Sequence, residues 1–114
     1  MRCDQYKFGK IYAIACGPYV KVGMTYGPVK ERMKSLQAGN PVQMSIMFEA
    51  AVDEQQLGAT TGQVEYAIHK KLDSFKVRGE WFQIERSQVI SAILEVIEGW
   101  EPVTKVKDTL PCKT

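Results

Sequence analysis

Apolar residues fall in short runs broken by Gly, Pro and Asn. The first run spans Gly9 to Cys16 and the second Tyr19 to Thr25, with only Gly17-Pro18 between them. Two strand-like runs around a Gly-Pro break predict a β-hairpin. Gly27-Pro28 follows, with proline at a favoured first helical position. Val29, Met33 and Leu36 then recur at spacings of four and three. Gly39 stops that pattern and Asn40-Pro41 forbids its continuation, so residues 28–38 read as a helix. Residues 43–52 read as a third, mostly buried strand.

Residues 53–62 hold two Gly and two Thr and predict a loop with a helical turn. Thr60 lies three before Gln63, a capping-box spacing. Val64, Ile68, Leu72 and Phe75 form the next helical stripe, Lys76 to Gly79 a basic turn, and Glu80 to Glu85 a short extended segment. Ser87 is positioned to cap a last helix, 87–98, whose Val89, Ile90, Ile93, Leu94 and Ile97 face the core before Gly99 ends it. The order β-β-α-β-α-(β)-α predicts a mixed α+β domain with a small sheet covered by helices. We expect a single domain over 1–100 and a polar tail over 101–114. Trp81, Phe82 and Trp100 read as core aromatics, Asn40-Pro41 as the turn before the third strand, and Met24, Met33, Met44 and Met47 as gap fillers.

Composition narrows the class. The chain has 114 residues, 45% hydrophobic and 25% charged, close to the globular average and far from a disordered or collagen-like bias. No apolar run is long enough for a membrane helix, and Met1-Arg2-Cys3-Asp4-Gln5 lacks a signal-peptide core. Cys3, Cys16 and Cys112 are odd in number and lack metal-type spacing, which points to free thiols and a cytoplasmic protein. The net charge of +2 hides an uneven distribution. Residues 1–34 carry +5, residues 35–65 carry −4, and the last-helix region 85–101 carries −3. This polarity suits one surface turned towards phosphate and an acidic back face.

The hairpin gathers chemistry. With Gly17-Pro18 as a two-residue loop, Cys16 faces Tyr19, Ile14 faces Lys21 and Tyr12 faces Gly23. Tyr12, Ile14, Lys21 and Gly23 then share a sheet face, and Thr25 continues it. Lys21 becomes the diagonal neighbour of Tyr12, at roughly 7–8 Å between backbone positions, within reach of a long side chain. Gly23 leaves space for the ring. An ammonium beside a phenol favours the phenolate, which makes a tyrosine a usable general base. Taken singly, each residue also reads as an ordinary strand aromatic or solvated strand charge. A one-residue slip would scatter the group.

The helices add Arg32, bordering the first apolar stripe, with Lys30 and Lys34 further round. An arginine there can simply snorkel. Glu65 borders the later stripe, and His69 follows one turn on. A carboxylate beside a core needs a partner or a cation. Glu65 and His69 can pair with each other, or supply a metal ligand and a hydrogen-bond partner. Two ligands fall short of zinc but suffice for hydrated Mg²⁺ bound with substrate phosphate.

Gly9-Lys10-Ile11-Tyr12, Val20-Lys21-Val22-Gly23-Met24-Thr25, Arg32 and Glu65 together resemble the GIY-YIG nuclease domain. Leu36-Gln37-Ala38-Gly39-Asn40-Pro41, Glu65 through His69 and Gly79-Glu80-Trp81-Phe82 resemble its small phage and bacterial branch. The resemblance covers residues 9–84. It implies a three-stranded antiparallel sheet flanked by helices, and divalent-metal-dependent hydrolysis of phosphodiesters in DNA, with RNA open.

By that resemblance, Tyr12 activates the attacking water, and Lys21 stands at the second-motif tyrosine. Arg32 contacts the scissile phosphate, and Glu65 binds one Mg²⁺ or Mn²⁺. Gly23, Thr25, His69 and Tyr19 are supporting residues, and Lys10, Lys30, Lys34 and Lys70 are candidate nucleic-acid contacts. One metal site cuts one strand at a time, so double-strand cleavage calls for a homodimer, repositioning or a targeting partner. The rival reading keeps the fold as an inactive nucleic-acid- or protein-binding module.

Overall fold

The computed structural model describes residues 8–100. The expected tail at 101–114, together with Cys3 and Cys112, lies outside the described residues. Strands β1 (Phe8–Cys16) and β2 (Tyr19–Thr25) form the hairpin, followed by α1 (Val29–Gln37) and β3 (Met44–Asp53). Then come α2 (Glu54–Leu57), α3 (Thr61–Lys71), β4 (Lys76–Arg78), β5 (Trp81–Phe82) and α4 (Arg86–Glu98). The strands make one antiparallel sheet in the order β3-β1-β2-β5-β4.

Strand alternation divides the sheet into two faces. Ile11, Ala13, Val20, Val22 and Phe82 point one way and join Val64, Ile68 and Leu72 of the α3 region and Val89, Ala92 and Ile93 of α4 in the main core. Tyr12, Ile14 and Cys16 point the other way and meet Val29, Met33 and Leu36 of α1, with Met44 and Ile46 of β3. The β1–β3 register shifts between Ala13 and Ile14, opposite Phe48 and Ile46, so Met47 is the extra residue of a bulge. Through it Met47 and Phe48, adjacent in sequence, both pack against the main core. The acidic α4 sits on the face away from α1, as the charge distribution suggests for a back face.

The main face is fastened at the start of α3. Thr60 and Gln63 form the reciprocal capping box that their spacing predicts. The Thr61 amide and hydroxyl both donate to Glu54 Oε2, at 2.6 and 2.7 Å, and the Tyr26 hydroxyl donates to the same oxygen. This ties the β2–α1 loop to the base of α3. Thr61 is fully buried against Gly9, where a Cβ would lie 2.0 Å from Thr61 Oγ1. The helix approaches β1 this closely only because position 9 has no side chain.

Several expectations need correction. The sheet has five strands, not three, because the expected basic turn at residues 76–79 holds β4 and the segment after it holds β5. Strands of three and two residues are too short to show a period in sequence. The α3 helix stops at Lys71, so Phe75 packs from a 3-10 turn rather than from the helix. Glu85, not Ser87, caps α4, in a box with Gln88. Pro28 is the N-cap of α1 rather than its first helical residue.

Replacing Gly9 by Ala should force Thr61 and the α3 N-terminus away from β1. Overpacking of this kind costs about 1–3 kcal/mol. The check is urea denaturation, with a lower midpoint and an unchanged slope.

Candidate functional site

The hairpin register pairs Tyr12 with Gly23, Ile14 with Lys21 and Cys16 with Tyr19, as the Gly17-Pro18 loop predicts. Tyr12 is 1% exposed. Its ring lies across Gly23, where a Cβ would meet the Tyr12 hydroxyl at 2.5 Å and Cζ at 2.7 Å. Glycine is therefore a packing requirement here. The hydroxyl emerges beneath α1, where Arg32 Nε donates to it at 3.4 Å. This bond is the chief influence raising the guanidinium pKa. Arg32 is otherwise exposed, so its terminal nitrogens remain available to a ligand.

Lys21 does not take the partner expected of it. Its ammonium donates to Glu80 Oε1 at 2.7 Å and lies 5.6 Å from the centre of the Trp81 ring. The cause is the pairing of the extended segment after Gly79 with β2, which the sequence pattern did not set. Pairing of Lys21 with Trp81 brings the β4–β5 turn, and with it Glu80, alongside the lysine. The Tyr12 hydroxyl consequently has Arg32, not Lys21, as its cationic neighbour.

The other half of the cluster comes from α3, on the opposite side of the sheet. β5 pairs only with Val20 and Lys21. Beyond that pairing, the Val22 amide still donates to the Glu80 carbonyl at 3.1 Å, while the Val22 carbonyl meets His69 Nε2 at 2.8 Å. A carbonyl only accepts, so Nε2 carries the proton and is not offered to a metal. The ring also stands edge-on to Phe82, 5.1 Å between centres. His69 is thus a clamp on the β2 edge. Glu65 Oε2 lies 3.9 Å from the same nitrogen.

The Glu65 side chain is 19% exposed. Burial pushes its carboxyl pKa up, and the like charge of Glu80 adds to this, against the smaller opposing pull of His69 and Lys21. A half-buried carboxylate whose charge is disfavoured, with a second negative charge nearby, makes a place for a cation. Among the described residues, no group of three His, Cys, Asp or Glu side chains converges, so the donors do not fit a closed zinc set. One or two carboxylates are the donor type that suits Mg²⁺ or Mn²⁺ held jointly with a substrate phosphate.

Tyr12, Gly23, Arg32, Lys21, Glu65 and His69 thus gather at one edge of β2, and Glu80 joins them. Sequence reasoning noted the word containing Glu80 but gave the residue no role. Thr25 serves the backbone, its hydroxyl accepting from the Gly27 amide at 3.1 Å. The four candidate nucleic-acid lysines do not cluster. Lys10 lies 4.0 Å from Glu49, Lys70 stands over Tyr66, and Lys30 and Lys34 are exposed on α1. Tyr19 is exposed at the start of β2, on the Lys21 face.

Comparison with known proteins gives one family. The model of the T5orf172 domain matches residues 4–101. This corrects the resemblance to the GIY-YIG nuclease domain, since the matching family is a distinct one. The words that carried the resemblance are short strand and turn segments, of a kind that recur in β-hairpins generally. They also left out the last helix, which the family model includes. No curated protein and no solved structure matches the chain.

The raised Glu65 pKa has a consequence for stability. The folded protein holds this proton more tightly than the unfolded chain, so stability is lost as pH rises through the folded value. Glu65→Gln removes that loss. In metal-free buffer its melting temperature should exceed that of the wild type at pH 8, with the difference shrinking as the pH falls towards 4. Thermal denaturation across that range is the check.

Proposed function

Because the chain belongs to the T5orf172 domain family, we propose that it is a divalent-metal-dependent endonuclease acting on DNA. The family is compatible with a nucleic-acid-acting function. The observation that carries the finer reading is the meeting of the Tyr12–Arg32 pair with Lys21, Glu80 and Glu65 at one strand edge.

A phosphodiester is anionic and repels nucleophiles, so hydrolysis calls for cationic grip, a proton acceptor and charge compensation. Arg32 supplies the grip. Its Nε is bound to Tyr12, which aims the remaining donors of a planar fork outward at a phosphate. Lys21, held by Glu80 and backed by Trp81, offers a second cation with little freedom to wander. Glu65 and Glu80 would hold Mg²⁺ or Mn²⁺, which when bound polarises the phosphoryl oxygens and offsets developing charge. Tyr12 has two duties in this reading. It fixes Arg32, and in its phenolate form its oxygen is the group beneath the guanidinium able to take a proton from water entering beside the phosphate. Thr25 keeps the loop after β2, and His69 keeps the β2 edge, in the shape this needs.

One observation favours the binding-module alternative. Tyr12 is 1% exposed, so water reaches its hydroxyl only from the Arg32 side. In a pure binding module, Tyr12 would do no more than position the arginine.

The proposal expects nicking of supercoiled plasmid that requires Mg²⁺ or Mn²⁺ and is lost in Glu65→Gln. Undiminished cleavage by that variant would sink the site assignment. Millimolar Mn²⁺ should raise the melting temperature of the wild type and leave Glu65→Gln unmoved; no shift in either would favour the module. Arg32→Ala should lower the cleavage rate by about 10²–10³-fold, the range for a lost charge-stabilising donor. Its stability should fall by only about 0.5–1.5 kcal/mol, the net worth of the hydrogen bond to Tyr12. Tyr12→Phe should lower the rate by about 10²-fold if the hydroxyl transfers a proton.

A further inference from the structure

The α1 face of the sheet is only half covered. α1 packs over β1 and β3, and among the described residues no helix lies over β2, β5 and β4 on this side. The register fixes what that bare half presents. Tyr19 and Lys21 share a face of β2 by alternation, Trp81 is opposite Lys21, and Arg78 is opposite Trp81. Two aromatic rings and two cations therefore share this face of adjacent strands, with Lys21 buried against Glu80 and Tyr19, Trp81 and Arg78 left to border open space. Phe82 and Val20, one position along, point into the main core instead.

These side chains bound a cleft of about 330 Å³, lined by Tyr19, Asn40, Val77, Arg78 and Trp81. That is near the lower end of small-ligand pockets and suits one planar ring system. Tyr19 and Val77 are 40% and 53% exposed, while Trp81 is half-buried and held against the α1-side core. Asn40 is a fixed wall, its Oδ1 accepting from the Val42 amide and its Nδ2 donating to Cys16 Sγ. The cleft joins the candidate site through one residue, since the Trp81 ring that lines it also backs the Lys21 ammonium bound to Glu80.

We propose that this cleft receives an unpaired nucleobase adjoining the phosphate at the candidate site, stacked against Tyr19 and Trp81, with Arg78 on the neighbouring backbone. The inference deepens the nuclease reading and rests on it for the identity of the ligand. Exposed aromatics on a sheet face with flanking cations are how single strands are bound without a sequence code, because every base has a face to stack. A base within a duplex cannot enter such a cleft, so the preferred substrate is single-stranded or locally opened DNA.

The test is binding in EDTA, where cleavage is absent, using a short oligodeoxythymidylate and a blunt duplex of equal length. In a Trp100→Phe background, Trp81 is the remaining tryptophan. The single strand should quench its fluorescence and bind more tightly than the duplex at equal salt. Tyr19→Ala should weaken single-strand binding by about 5- to 100-fold, the range for a lost stacking platform, and Tyr19→Phe should restore it to within about twofold. Arg78→Ala should weaken both and flatten the salt dependence. Unquenched Trp81, or Tyr19→Ala binding like wild type, would overturn the cleft assignment whatever the plasmid assay reports. Tyr19-dependent single-strand binding in a protein that never nicks DNA would uphold the cleft and discard the nuclease reading.

Discussion

The register of the β1–β2 hairpin is the constraint on which the rest of the molecule depends. With Tyr12 opposite Gly23 and Ile14 opposite Lys21, the phenol lies over the one position of β2 that lacks a Cβ, and the lysine lies where the fifth strand begins. A slip of one residue would turn Tyr12 towards α3 and Ile11 towards α1, exchanging the two cores. The register is held from both sides. Ile11, Ala13 and Val22 are fully buried on one face, and Tyr12 and Ile14 almost fully on the other. The hairpin is the central pair of the sheet, so β3 and β5 take their own registers from it.

The brevity of β5 then turns a structural strand into a site. A full-length neighbour would occupy every peptide group of β2 that points away from β1. Instead the pairing ends after Lys21, and the Val22 carbonyl is left for His69. Groups from opposite faces meet around this bare edge: Arg32 from the α1 side, Glu65 from the α3 side, and Lys21 and Glu80 between them. Two cations and two carboxylates leave the resting cluster close to balanced when all are charged. Under the proposed function, an arriving phosphodiester would upset that balance by one negative charge and a divalent cation would more than restore it, so each would make the other easier to accommodate.

Much of this was legible in the sequence where a period or a cap carried it. The hairpin, α1, β3 and the Thr60–Gln63 capping box follow from alternation, from helical spacing and from hydrogen-bonding chemistry at a fixed offset. Strand β4 was not legible, and β5 was legible only as a short extended segment, because three- and two-residue strands have no period to set their pairing. Without the β2–β5 pairing Glu80 had no place beside Lys21, which was matched to the nearest phenol rather than to the carboxylate a strand away. The family was misread for a related reason. Words such as Ile11-Tyr12 and Val22-Gly23 mark strand chemistry, whereas a match over residues 4–101 weighs the whole chain, α4 included.

The division of labour between the two faces explains why function need not compromise stability. The large core lies under α3 and α4, and that side sends only Glu65 and His69 to the edge. α3 is well placed to hold them steady, with a capping box at its start, Thr61 locked to Glu54, and the His69 ring edge-on to Phe82. The buried carboxyl whose charge is disfavoured therefore sits on one of the most firmly anchored helices. On the other face the small core under α1 stops at Trp81, leaving the β2–β5–β4 half open. Tyr19 and Val77 are both exposed there beside a cationic Arg78. A partner with apolar rings and an anionic backbone answers both features at once, and nucleic acid has that combination.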